Sequence, residues 1–67
     1  MARGTVKYFN DQKGYGFITP EGQEGEVYVH FSAIESGGFR TLHEGERVEF
    51  QTVSSTRGKE ATHVSKV

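Results

Sequence analysis

Tyr15 and Phe17 sit either side of Gly16 in Lys13-Gly-Tyr-Gly-Phe-Ile18, and Tyr28 and His30 alternate with valines in Val27-Tyr-Val-His-Phe31. Successive side chains on a β-strand point to opposite faces. Tyr15 and Phe17 therefore share one face while Ile18 takes the other. Tyr28 and His30 likewise share a face, with Val27 and Val29 opposite. Each segment has an aliphatic side suited to a small core and an aromatic side. A chain of 67 residues cannot easily cover both faces of a sheet, so the aromatic side is expected to be open. The chemistry of an open aromatic face with lysines close by is stacking on nucleic-acid bases, and contiguous exposed rings generally mark a binding surface.

Other chemistries find less support. His30, His43 and His63 lack short ligand spacing and there is no cysteine, so no metal site is expected. No nucleophile is paired with a base, and a deep pocket is hard to build at this size, so no catalytic residues are assigned. Gly14 and Gly16 resemble a phosphate-cradling loop, but GxxxxGK[ST] is absent and no helix follows. Glycine inside a strand instead suggests a bulge or close approach by another backbone. For His30 two readings stand: a ring that stacks on a base or donates to phosphate, and an ordinary half-buried histidine.

The elements that must position these residues are strands. Turn residues punctuate the chain throughout and no amphipathic helix appears. Strands are expected at about Thr5–Asn10, Tyr15–Thr19 (stopped by Pro20), Glu26–Phe31, Arg47–Ser54 and Ala61–Val67. Gly14 is free to take positive φ in the first turn, and Ser32 is expected to cap a short helical turn through Glu35. Three strands on short turns, a long link and a hairpin predict a small closed or nearly closed antiparallel barrel, closure being a way to remove exposed edges. Its inward set is Val6, Ile18, Val27, Val29, Ile34, Val48, Phe50 and Val64, with Phe9 assigned to the core or to the rim of both surfaces.

The length fits one domain, residues 1–67. The amino-terminal residues show no signal-peptide pattern and no apolar run approaches a membrane span. Lack of cysteine suits a reducing cytosol, and a cytoplasmic location is expected. Net charge is −1, divided into +2 over residues 1–20, −5 over 21–49 and +2 over 50–67. Two readings of this remain: a basic zone made by the two ends and facing phosphates, or dispersed solubilising charge.

Lys7-Tyr-Phe-Asn10, Lys13-Gly-Tyr-Gly-Phe-Ile18, Val27-Tyr-Val-His-Phe-Ser-Ala-Ile34 and Gly38-Phe-Arg-Thr-Leu42 together resemble the bacterial cold-shock proteins over essentially the whole chain. The two central segments are similar to that family's paired ribonucleoprotein motifs. The resemblance implies a five-stranded OB-fold barrel that binds single-stranded RNA and DNA with little sequence selectivity. It also implies RNA-chaperone, transcriptional and translational roles in cold adaptation. It assigns base stacking to Tyr8, Phe17, Tyr28, His30, Phe31 and Phe39, with Tyr15 beside them, and assigns Lys7, Lys13 and Arg57 to the backbone or base edges. The chain departs from the family where Tyr8 replaces a common Trp and where Gly58-Lys59 replaces a common Gly-Pro.

The expectation is a non-enzymatic, monomeric protein whose partners are single-stranded RNA and DNA, with no cofactor, metal, small-molecule substrate or membrane. The rival class is an SH3-like module binding a proline-rich peptide. Lysines beside the rings favour nucleic acid, since an SH3-like groove usually carries acidic residues there.

Overall fold

The computed structural model describes residues 2–35, 41–56 and 58–67. Its strands are β1 (Ala2–Asn10), β2 (Tyr15–Pro20), β3 (Val27–His30), β4 (Arg47–Ser55) and β5 (Gly58–Lys66), with one 3-10 turn at Phe31–Ala33. They close into a barrel in the order β1-β2-β3-β5-β4. Four seams are antiparallel and the β3–β5 seam, at Tyr28 and Glu60, is parallel. The parallel seam has a topological cause: a ring with an odd number of strands cannot alternate direction all the way round.

The core is Val6, Ile18, Val27, Val29, Ile34, Leu42, Val48, Phe50, Ala61 and Val64, all buried. Each fully buried aliphatic or phenyl side chain contributes about 1.5–3 kcal/mol relative to exposure. All eight residues expected inside are there, joined by Leu42 and Ala61. Ala2, Phe9 and Ala33 pack against this core while only partly buried.

Two bulges break the strict alternation, and both matter for the face outside. In β1, Val6 pairs with Ile18 and Tyr8 with Phe17. Lys7 is the extra residue, so Tyr8 is turned outward although Val6, two residues earlier, points in. In β5, Ser65 pairs with Glu49 and Thr62 with Gln51, leaving His63 and Val64 opposite Phe50. His63 takes a left-handed φ of 52°, which lets Ala61 and Val64, three residues apart, both point inward.

Local chemistry shapes the turns. Asn10 Oδ1 accepts from the backbone N–H groups of Gln12 and Lys13, each at 3.0 Å. The Gly14 N–H donates to the Asn10 carbonyl at 2.7 Å, with Gly14 at φ 76° as its position requires. Pro20 is included in β2 as its last residue, paired with Gly4. The 3-10 turn starts earlier than expected and its cap is His30, not Ser32: the Ser32 N–H donates to His30 Nδ1 at 3.3 Å. Histidine can cap here because the extended backbone of His30 places its ring nitrogen over the first free N–H of the turn.

Candidate nucleic-acid interface

β1, β2 and β3 lie side by side and present one continuous aromatic surface. Across the ladders Tyr8 faces Phe17, Phe17 faces Tyr28, and Tyr15 faces His30. Ring centroids are 6.5 Å apart for Tyr8 and Tyr15, 6.2 Å for Tyr15 and Phe17, and 6.0 Å for Phe17 and Tyr28. These three contacts are edge-to-face. Tyr15 and Tyr28 stack diagonally at 5.9 Å with planes 22° apart. His30 and Phe31 form a second, tilted pair at 4.6 Å. Among the described residues Tyr8 and Phe31 are the most open rings, at 39% and 42% exposure; Tyr15, Phe17, Tyr28 and His30 are half-buried.

Alternation alone would place Tyr8 with Val6 and Phe31 with Val29, both inside. The β1 bulge turns Tyr8 out. Phe31 escapes because β3 ends at His30 and the chain enters the 3-10 turn. Gly14 makes room for it: a Cβ there would lie 2.8 Å from the Phe31 ring, while the Phe31 N–H donates to the Gly14 carbonyl at 2.8 Å. Gly16 answers a different need. A Cβ there would fall 2.2 Å from the Tyr8 carbonyl oxygen and 2.7 Å from Phe9 Cα. Close approach of β1 to β2 therefore accounts for Gly16, and the phosphate-loop alternative finds no support.

Beside the rings an open cleft of about 540 Å³ is lined by Phe9, Asp11, Gln12, Lys13, Gly14, Phe31 and Thr41. Phe9 thus sits at the rim of both core and surface. Asp11, Gln12 and Thr41 were not singled out in the sequence, which has no periodicity across either loop. A Thr41–Asp11 hydrogen bond ties the two loops together.

His30 Nδ1 lies 2.9 Å from Ser32 Oγ and also accepts from the Ser32 N–H. In the neutral ring this acceptor role places the proton on Nε2, where it is a donor. Lys7 projects from the bulge and is ion-paired with Glu26. Lys13 makes no ion pair among the described residues. Phe39 and Arg57 lie outside the described residues.

Of the two charge readings, the ion pairs favour dispersed charge over a basic zone made by the two ends. Arg3 meets Glu49, Lys7 meets Glu26 and Lys66 meets Glu46. Barrel closure interleaves the ends with the middle and pairs these three cations with its carboxylates. His63 lies 3.0 Å from Glu35 and His43 3.9 Å from Glu46; among the described residues no three His, Asp or Glu side chains gather into a metal-binding set. No helix among them is long and apolar enough to cross a membrane.

A small closed β-barrel carrying a row of open rings on adjacent strands is the architecture of the OB-type nucleic-acid-binding modules. The chain belongs to the cold-shock family: residues 2–67 match the family described as "'Cold-shock' DNA-binding domain". It is 52% identical to the cold shock protein of Arthrobacter globiformis over 67 residues, covering 100% of both chains. It is 55% identical over 67 residues to the cold shock-like protein CspLB of Listeria monocytogenes, again covering 100% of both. The solved structure of Drosophila Unr CSD456 shares the fold with a TM-score of 0.82 at 17% identity, covering 98% of this chain and 26% of that one.

Proposed function

We propose that this protein binds single-stranded RNA and DNA by stacking unpaired bases on Tyr8, Tyr15, Phe17, Tyr28, His30, Phe31 and Phe39, while Lys7, Lys13 and Arg57 meet phosphates or base edges. The observation that carries the reading is the unbroken aromatic row from Tyr8 through Tyr15 and Phe17 to Tyr28, open on one side of the barrel. A base stacked on an aromatic ring contributes about 1–3 kcal/mol whatever its identity, so selectivity is low. A duplex hides its base faces and is bound less well.

RNA-chaperone action follows by mass action. A protein that binds only the unpaired strand draws the pairing equilibrium toward it, without ATP. The role is non-enzymatic and fits cytoplasmic regulation of transcription and translation in the cold. Each copy carries the full aromatic face, so a monomer suffices.

Titration of a fluorescently labelled oligothymidine and, separately, a proline-rich peptide tests the reading. Saturable binding of the oligonucleotide alone supports it. Binding of the peptide alone would replace it with the SH3-like alternative.

A further inference from the structure

Asn10 joins the turn to the aromatic row in a way that fixes the direction of one proton. Its Oδ1 accepts from two backbone N–H groups, those of Gln12 and Lys13. That leaves no ambiguity about the other side of the amide: Nδ2, a donor, faces the Tyr8 hydroxyl at 3.2 Å. The hydroxyl oxygen is therefore an acceptor toward Asn10 and cannot also give Asn10 its proton. Among the described residues the hydroxyl has no other hydrogen-bond partner. Tyr8 is among the most exposed rings of the described residues, so its O–H is free to turn to solvent at the end of the aromatic row. Accepting one hydrogen bond polarises an O–H and strengthens it as a donor.

We propose that the Tyr8 hydroxyl is a directed hydrogen-bond donor to the bound strand, with Asn10 as the positioning residue that keeps its proton outward. This rests on the reading of the aromatic face as a single-strand site. The ligand group it recognises is an acceptor without a proton of its own: a phosphate oxygen, a base carbonyl or a base ring nitrogen. A ring that only stacks is indifferent to that group, so Tyr8 adds a polar contact to an otherwise sequence-tolerant surface.

The test uses labelled oligothymidine and oligoadenosine strands of equal length, followed by fluorescence anisotropy. Tyr8→Phe keeps the ring and removes the donor; affinity for oligothymidine should fall about three- to tenfold, the range of one net hydrogen bond, with an unchanged melting temperature. An equal fall on both strands assigns the acceptor to phosphate, the acceptor that both carry in the same place. A fall on one strand alone assigns it to that base's edge, a carbonyl of thymine or a ring nitrogen of adenine. Asn10→Asp keeps the acceptor for the turn but offers the phenol a carboxylate, so the proton turns inward. It should weaken binding in the parent and weaken it less in the Tyr8→Phe background. That non-additivity is a signature which loss of turn structure or added negative charge alone does not produce.

Unchanged affinity of Tyr8→Phe on both strands, with the parent binding normally, overturns the donor role and leaves the stacking face intact. Additive effects of the two substitutions overturn the role of Asn10. A parent protein that binds neither strand overturns the donor and the single-strand reading together.

Discussion

Lys7 and Glu26 form an ion pair at the rim of the aromatic face, Lys7 from the β1 bulge and Glu26 from the residue preceding β3. Both side chains are substantially exposed, so the pair contributes at most about 0.2–1 kcal/mol. A phosphate that approaches Lys7 also meets the Glu26 carboxylate, which carries the same sign of charge. Glu26→Gln is therefore expected to tighten single-strand binding by up to about fivefold, the equivalent of about 1 kcal/mol, with little change in melting temperature. Anisotropy titration at fixed salt checks this. Weaker or unchanged binding would mean that Lys7 does not meet the strand.

Gly16 is expected to be the least replaceable glycine among the described residues. A methyl group there meets backbone, the Tyr8 carbonyl and Phe9 Cα, at 2.2 and 2.7 Å. Backbone cannot swing away as a side chain can, so Gly16→Ala should cost about 3 kcal/mol. Gly22 is the control: its φ of 73° is strained for alanine, but nothing lies within 4 Å of the added Cβ. Gly22→Ala should cost about 1 kcal/mol. Equal losses in denaturant unfolding would remove the close approach of β1 to β2 as the reason for Gly16.

Phe17 and Phe31 lie outside the buried cluster. Phe17→Ala and Phe31→Ala should each weaken oligothymidine binding by about 1–3 kcal/mol while the fold survives. Circular dichroism recorded beside the titration separates the two effects. A variant unfolded at room temperature would place that ring among the structural residues.

Salt should weaken binding only modestly. With Lys7, Lys13 and Arg57 as the cations, about 0.7 per phosphate contact on a single strand gives a slope of log K against log salt near roughly −2. A slope near that of a highly basic protein would mean that charge, not stacking, supplies the affinity.

The sequence disclosed most of this molecule where alternation holds. Ile18, Val27 and Val29 point inward while Tyr15, Phe17, Tyr28 and His30 share the outer face, as period-two reasoning requires. It disclosed less where alternation is interrupted. Counting by two from Val6 puts Tyr8 inside, and counting back by two from Val64 selects Thr62 instead of Ala61; in both strands a bulge shifts the phase. Phe31 leaves the alternation at the start of the 3-10 turn. Tyr8 and Phe31 were legible only through resemblance to a family. Leu42, a core residue in a loop, has no periodic neighbour to announce it. The pairing of Lys7 with Glu26 was hidden because charge counted along the chain does not report which segments closure brings together.

Competition between a short oligothymidine and a duplex of the same length tests the central claim most directly. Stacking requires an unpaired base face, so the single strand should bind markedly more tightly at the same salt, and the duplex should displace it poorly. Equal affinity for the two would contradict the account, because phosphates are common to both and open base faces are not.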